Sequence, residues 1–164
     1  AATRNRKIGL IATASSIRSG LYEKIIASLD PRAEVISRAT PLLVPLIEAG
    51  RIEKGDVVCE TVVREYLAPI KEAGVDTLIM GCTHYPIIRG LIQEEMGDGV
   101  TLIDAGAAAV EELKEELTRT GALSDGTRGG TSFYVTDFPE GFAAVGSMFL
   151  GREIAGEIRK IDLT

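Results

Sequence analysis

Short apolar runs alternate along this chain with longer amphipathic segments. This alternation is typical of α/β proteins, in which buried parallel strands are joined by helices that cover the sheet. Strands are predicted at Lys7 to Ala12, Ala33 to Ser37, Asp76 to Met80, Val100 to Ile103 and, late in the chain, Ser132 to Thr136. The pattern therefore predicts an α/β fold with a parallel sheet and flanking helices.

Helical spacing of apolar residues fills the intervals between these strands. Helices are predicted at Arg18 to Ser28, Asp56 to Lys71, Pro86 to Met96, Asp104 to Thr120 and Pro139 to Leu150. Aspartate is a good N-cap and proline suits a first helical turn, which supports these starting points. The stretch from Thr40 to Pro45 contains two prolines and predicts an apolar loop.

Composition and charge narrow the classes of partner. The 164 residues are 45% hydrophobic and 26% charged, as in globular domains, and the formal net charge is −6. The basic residues are scattered and form no stripe that could follow a phosphate backbone, so no nucleic-acid partner is expected. The apolar runs are too short to cross a bilayer and no secretory signal pattern is seen, so we expect a cytoplasmic protein without a membrane partner.

The chain contains two cysteines, Cys59 and Cys82, and one histidine, His84. This set cannot provide a tetrahedral zinc site of usual spacing, so no metal site is expected. Cys59 falls on the apolar stripe of its predicted helix and is expected to be part of the core. Cys82 is placed differently and is the candidate for chemistry.

The segment from Gly81 to Pro86 (GCTHYP) lies between an apolar strand and a predicted helix. It places Cys82 at the carboxyl end of a parallel strand, where open α/β sheets bind ligands. Backbone N–H groups at a helix start favour the thiolate form of a cysteine and also suit a carboxylate ligand.

Several uses of this thiol remain open from the residues alone. Phosphatase chemistry needs an arginine separated from the cysteine by five residues, here at position 88, but Arg89 lies one position too far. A Cys–His hydrolase usually takes its base from a distant segment, whereas His84 is two residues away. Proton transfer by Cys82 with His84 as a neighbouring acid fits better, and a merely buried cysteine is the alternative. Thr13 and Ser16 either cap the next helix or hold a ligand.

The GCTHYP segment resembles the second cysteine motif of glutamate racemases, in the aspartate/glutamate racemase superfamily. Further resemblances follow in the family's order: Pro41 to Glu48, Val63 to Pro69, Thr101 to Asp104, Phe133 to Asp137 and Phe149 to Arg152. Together they extend over nearly the whole chain.

The resemblance implies a site between two similar α/β lobes, in which two thiols act on opposite faces of an amino acid without a cofactor. One thiolate removes the α-proton and the other thiol delivers a proton. By position Cys82 is the second of these thiols and His84 assists it. Thr83, Thr13 and Ser16 would contact the substrate glutamate. These hydroxyls complete the implied site together with an acidic residue that would orient His84, namely Glu48.

The family's front portion, which carries the first catalytic cysteine, has no counterpart here. The resemblance implies that residues 7–104 form one lobe and that residues 105–164 pack on the missing front lobe. We therefore expect the isolated chain to be inactive, and expect a homodimer or a complementing front-lobe fragment as its partner. The implied activity is interconversion of L- and D-glutamate for peptidoglycan synthesis. An aspartate or hydantoin racemase and a non-catalytic carboxylate-binding fragment are the alternatives.

Overall fold

A computed structural model describes residues 2–126, 129–154 and 156–163. The chain divides into two compact units, Ala1–Leu113 and Lys114–Thr164, and the helix Ala105–Arg119 contributes to both. The lobe boundary predicted after residue 104 comes from the family resemblance, whereas these units are defined by contacts within this chain. The assignment of lobes therefore stays a prediction. No helix within the described residues is long and apolar enough to span a bilayer.

The first unit contains a four-stranded parallel sheet in the order β2-β1-β3-β4. Its strands are β1 (Lys7–Ala12), β2 (Glu34–Ala39), β3 (Thr77–Gly81) and β4 (Thr101–Asp104). Its helices are α1 (Ala14–Ser19), α2 (Leu21–Leu29), α3 (Leu43–Glu48), α4 (Val57–Glu72), α5 (Arg89–Met96) and the start of α6 (Ala105–Arg119). The α/β class and the parallel sheet predicted from the sequence are thereby confirmed.

The core of this unit is centred on the two middle strands, whose residues are mostly apolar on both faces. Leu10, Ile11 and Leu78 are fully buried, as expected for parallel strands that are covered by helices. Gly9 belongs to the same layer, where the Ile70 side chain of α4 packs directly over its backbone. A continuous core of this kind fixes where the strands end, and therefore where the candidate site lies.

The predicted helix from residue 18 to 28 is two helices in the structure. Gly20 adopts a left-handed conformation with φ 61° and ends α1, and α2 follows immediately. Glycine adopts this conformation without a steric penalty, which explains why the chain turns there. The prediction of a single helix was wrong because Gly20 interrupts it, and its predicted start was too late because α1 begins after the Thr13 N-cap.

The predicted apolar loop from Thr40 to Pro45 was wrong in its second half. Residues Leu43–Glu48 form α3, whose Leu43 and Ile47 side chains are buried one turn apart. Pro45 falls in the first turn, where backbone N–H groups have no partner within the helix and a proline costs little. The helix matters for function because Glu48 is its last residue.

The helix predicted to begin at Pro86 also begins differently. Residues Tyr85–Ile88 form a 3-10 helix, and α5 starts only at Arg89. In a 3-10 helix residues three apart share one face, and Tyr85 and Ile88 are both buried. Burial of this pair accounts for the tighter winding, and it separates Cys82 from the first turn of α5.

An N-terminal clamp holds the start of β3. The Asp76 carboxylate accepts hydrogen bonds from the Thr3 hydroxyl and from the backbone N–H groups of Arg4 and Asn5, each at 2.7 Å. Burial acts to raise the pKa of Asp76, but these hydrogen bonds outweigh it and hold the pKa well below its usual range.

The second unit contains two parallel strands, β5 (Phe133–Val135) and β6 (Ile158–Lys160), with α7 (Pro139–Leu150) between them in sequence. The late strand and the last helix were predicted, whereas β6 was not. Three residues of strand give little periodic signal, and β6 exists because β5 supplies its backbone partners. The stretch from 121 to 130 is rich in Gly, Ser and Thr, a composition that predicts a loop, and residues 127 and 128 of this stretch lie outside the described residues.

Candidate active site at the carboxyl end of the sheet

The candidate residues follow the carboxyl ends of three adjacent strands. Ala12, at the end of β1, pairs in register with Ala39 of β2 on one side and with Gly81 of β3 on the other. Thr13, Thr40 and Cys82 come next in sequence after these three residues. The parallel register therefore brings residues from distant parts of the chain to one edge of the sheet, where open α/β sheets bind ligands.

Cys82, His84 and Glu48 form a connected row at this edge. Cys82 Sγ lies 3.9 Å from His84 Nδ1, and His84 Nε2 lies 3.1 Å from Glu48 Oε1. The Cys82 side chain is half-buried and is neither sealed in the core nor fully exposed. Glu48 is the last residue of α3, so the third residue of the row comes from a helix that was not predicted from the sequence.

The direction of these hydrogen bonds assigns the histidine tautomer. A carboxylate accepts hydrogen bonds only, so His84 Nε2 must carry the proton that Glu48 Oε1 receives. In the neutral ring Nδ1 is then an acceptor that faces the Cys82 thiol. The row can accept a proton from Cys82, and the Glu48 carboxylate stabilises the imidazolium that would result. His84 is 20% exposed and Glu48 49% exposed, so this ion pair would remain accessible to solvent.

The three residues whose hydroxyls were predicted to bind substrate lie in two places, Thr83 next to His84 and Thr13 with Ser16 at the start of α1. Thr83 is exposed beside the row, with its Oγ1 3.4 Å from His84 Nδ1. Thr13 is the N-cap of α1 and accepts a hydrogen bond from the Ser16 N–H at 3.3 Å, while the two hydroxyls are 3.0 Å apart. Capping therefore accounts for Thr13 in this structure, and a substrate role for Thr13 and Ser16 stays a prediction.

Two buried polar residues behind Cys82 were missed by the sequence reasoning. Thr40 and Tyr85 share a hydrogen bond between their hydroxyls, and they are 1% and 0% exposed. Burial, opposed by the Thr40 hydrogen bond, raises the pKa of Tyr85 to about 12. The only sequence signal was a tyrosine inside the cysteine motif, because its partner lies 45 positions away.

The second cysteine lies elsewhere. Cys59 is completely buried on α4, and burial raises the pKa of its thiol. The expectation that Cys59 belongs to the core is confirmed, and it is not a substitute for a second reactive thiol. In the part of the chain that the structure describes, no three His, Cys, Asp or Glu side chains are grouped so as to hold a metal ion.

Comparison with known sequences agrees with the motif resemblance. The glutamate racemase of Geobacter metallireducens is 40% identical over 165 residues, a match that covers 99% of this chain and 60% of that protein. The glutamate racemase of Neisseria meningitidis serogroup A is 42% identical over 153 residues, a match that covers 93% of this chain and 56% of that protein. The chain thus spans about three fifths of the length of these relatives.

Comparison with solved structures gives the same result. A glutamate racemase isoform from Bacillus anthracis superposes with a TM-score of 0.89 at 32% identity, over 98% of this chain and 59% of that one. The glutamate racemase of Francisella tularensis, solved in complex with D-glutamate, gives a TM-score of 0.85 at 35% identity, over 96% of this chain and 58% of that one. The resemblance to glutamate racemases that the motifs indicated is therefore confirmed.

The family comparison covers the unit that contains the site. The sequence model described as Asp/Glu/Hydantoin racemase matches residues 1–113, which include the whole four-stranded sheet and the Cys82, His84 and Glu48 row. This match extends over more than half of the 164 residues. The chain belongs to the Asp/Glu/Hydantoin racemase family.

Proposed function

We propose that this chain supplies one of the two proton-transferring thiols of a glutamate racemase, and that Cys82 is that thiol. The observation that carries the proposal is the row formed by Cys82, His84 and Glu48 at the carboxyl end of β3. A thiol beside a neutral imidazole acceptor can exchange a proton with a carbon atom that is bound next to the sulfur. The D-glutamate complex of the Francisella tularensis relative supports glutamate as the substrate.

The chemistry needs more than a base because the α-hydrogen of an amino acid is weakly acidic. The Cys82 thiolate would take the α-proton on one face, and a second thiol would deliver a proton on the opposite face. In the reverse direction Cys82 would be the donor. Thr83, Thr13 and Ser16 would bind the polar groups of glutamate and stabilise the charge that develops on its carboxylate.

Inversion at the α-carbon requires a second thiol in addition to Cys82. Cys59 is buried and outside the site, so the 164 residues hold one accessible thiol. We therefore propose that the isolated chain is inactive and acts with a complementing front lobe or in a homodimer. The role in peptidoglycan synthesis and a cytoplasmic location belong to the same proposal.

The exposure of apolar side chains on α6 supports the proposed lobe arrangement. The structure describes every residue of this helix and none of them is buried, although Val110 and Leu113 are apolar and are 61% and 56% exposed. Apolar side chains on an uncovered helix favour association, which is consistent with residues 105–164 packing on a front lobe. Sedimentation should show self-association of the chain alone, and a single compact monomer at all concentrations would contradict this arrangement.

The test of function measures hydrogen exchange and inversion at the α-carbon. L- or D-glutamate is incubated in D₂O with this chain, alone and together with a front lobe that carries the second thiol, and the α-deuterium content and the enantiomer ratio of glutamate are followed. Cys82→Ala should lower racemisation by at least about a hundredfold, the usual contribution of a general acid or base. Cys59→Ala is the matched control and should retain turnover. Unchanged turnover in Cys82→Ala would refute the proposal.

A carboxylate-binding fragment is the second candidate, favoured by the chain's coverage of only 60% of its Geobacter metallireducens relative. Such a fragment would bind glutamate and leave its α-hydrogen unexchanged. The exchange experiment on this chain, alone and with a front lobe that carries the second thiol, separates the two, because a racemase lobe exchanges the α-hydrogen when its partner is present and a binding fragment does not. Aspartate and a hydantoin, used as substrates in parallel, distinguish the other activities that the family description names.

A further inference from the structure

Two buried hydroxyl groups connect the ends of three strands beside the site. Thr40 Oγ1 lies 3.3 Å from the carbonyl oxygen of Ala12 and donates to it, and the same oxygen is hydrogen-bonded to the Tyr85 hydroxyl. Because Thr40 has one hydroxyl proton and uses it on Ala12, Tyr85 is the donor to Thr40. Both side chains are almost fully buried, so water does not compete for these bonds. A directed chain of hydrogen bonds therefore runs from the loop after β3, through the end of β2, to the end of β1.

On one side of this pair, Thr40 leads into the helix that carries Glu48. The Leu43 N–H donates to the Thr40 carbonyl at 3.2 Å, which ties the start of α3 to Thr40. The helix ends at Glu48, and its Leu43 and Ile47 side chains are buried. A short helix that is anchored at its start and packed along one face moves as a unit. The position of Thr40 therefore governs the position of Glu48.

On the other side, Tyr85 closes the loop that carries Cys82 and His84. The Tyr85 N–H donates to the Cys82 carbonyl at 3.3 Å, and the Ile87 N–H donates to the His84 carbonyl at 3.1 Å. Because the Tyr85 side chain is fixed in the core, these backbone bonds leave the loop little freedom to shift. The hydroxyl pair therefore joins the segment that carries Glu48 to the loop that carries the histidine.

Apolar packing alone does not align these two segments. The helix α3 and the 3-10 helix lie against each other, and both contribute apolar side chains to the core. The hydrophobic effect has no direction, whereas a hydrogen bond requires a narrow range of distance and angle. His84 Nε2 lies 3.1 Å from Glu48 Oε1, and a shift of about 1 Å would break this contact. Because Glu48 is 49% exposed, water competes for its carboxylate, and the contact depends on how well its position is held.

We propose that Thr40 and Tyr85 are positioning residues, whose buried hydrogen bond aligns Glu48 with the His84 ring. This alignment holds the proton on Nε2 and leaves Nδ1 as the acceptor that faces the Cys82 thiol. Neither hydroxyl exchanges a proton with the substrate, and no covalent bond changes. The relevance to racemisation rests on the proposed function, whereas the effect on the contact between His84 and Glu48 does not.

The test follows the imidazole nitrogen signals by NMR in the untagged, nitrogen-15-labelled chain at pH 9, where a histidine is ordinarily neutral. His84 is the only histidine in the sequence, so its signals are unambiguous. They report which ring nitrogen carries the proton, and Glu48→Ala supplies the reference spectrum of a broken contact. Thr40→Val keeps the shape of the side chain without its hydroxyl. It should lower the ratio of formed to broken contact about fivefold, the weight of one ordinary hydrogen bond, and move the signals toward the reference.

Two matched variants separate positioning from a general loss of stability. Thr40→Ser keeps the hydroxyl and should retain the wild-type signals. Thr77→Val removes a hydroxyl that is also buried, at 2% exposure, and that donates to Asp76 Oδ1 at 3.0 Å. Thr77 is the first residue of β3 and lies at the end of the strand opposite to the site, so its loss should leave the His84 signals unchanged.

Wild-type signals in Thr40→Val would overturn the proposal, and so would an equal displacement in Thr77→Val, because the effect would then follow destabilisation. A Glu48→Ala spectrum that coincides with the wild type would also overturn it, since no contact would exist to be aligned. If Thr40→Val does not fold, as judged by circular dichroism, Tyr85→Phe removes the same hydrogen bond from the other side and is judged by the same outcomes. The measurement needs neither glutamate nor a second thiol, so it is independent of racemisation.

Discussion

The buried hydroxyl of Tyr85 makes the stability of this protein depend on pH in the alkaline range. The folded protein holds the Tyr85 pKa at about 12, because burial penalises the phenolate, whereas the unfolded chain titrates near the usual value of 10. The folded state thus retains a proton that the unfolded state has lost. Stability from this group is present below pH 10 and is lost as the pH rises from about 10 to about 12.

The magnitude follows from the two pKa values. Linkage gives a loss of about 1.3 kcal/mol between pH 9 and pH 11, and a total approaching about 2.7 kcal/mol well above pH 12. Because Tyr85 is 0% exposed, solvent screening does not reduce this figure. Losses of this size are a considerable part of the 5–15 kcal/mol by which domains are usually stable.

Urea unfolding of the wild type and of Tyr85→Phe at pH 8, 9, 10 and 11 measures this effect. Every other titrating group is present in both proteins, so the pH dependence of the difference between their free energies of unfolding reports on Tyr85 and on the Cys82 thiol that interacts with it. The hydrogen bond to Thr40 contributes a difference that is constant below pH 9. The advantage of the wild type should then shrink by about 1.3 kcal/mol by pH 11. A difference that stays constant from pH 8 to 11 would refute the reasoning.

Two further predictions concern the sheet that positions the site. Gly9→Ala should lower the free energy of unfolding in urea by about 1–3 kcal/mol, because the new Cβ would lie 2.6 Å from Ile70 Cγ2 and 2.9 Å from Leu78 Cδ1. Gly90→Ala on α5 is the control and should not destabilise the protein, because an added Cβ there has no neighbouring atom within 4 Å. The pKa of Asp76 is lowered in the folded protein, so its stabilising contribution is present at neutral pH and lost in acid. The difference in unfolding temperature between the wild type and Asp76→Asn should therefore narrow from pH 6 to pH 2, and a constant difference would contradict this.

The sequence determined the elements whose apolar pattern is strong and local. Strand β1 was predicted with its observed bounds because five of its six residues are buried and the run is continuous. Helix α4 was located by its Asp56 N-cap, whose carboxylate accepts hydrogen bonds from the first-turn N–H groups of Val58 and Cys59. Cys82 was likewise singled out because a strand and a turn flank it in sequence.

Tertiary structure decided what depends on residues far apart in the chain. No local pattern joins Glu48 to His84, 36 positions away, and only the family resemblance suggested that they meet. The Thr40 and Tyr85 pair was not found at all, since each hydroxyl is ordinary until the parallel register of β1, β2 and β3 brings their loops together. Patterns of polarity report which face of an element is buried, whereas hydrogen bonds between loops depend on the packing of the whole sheet.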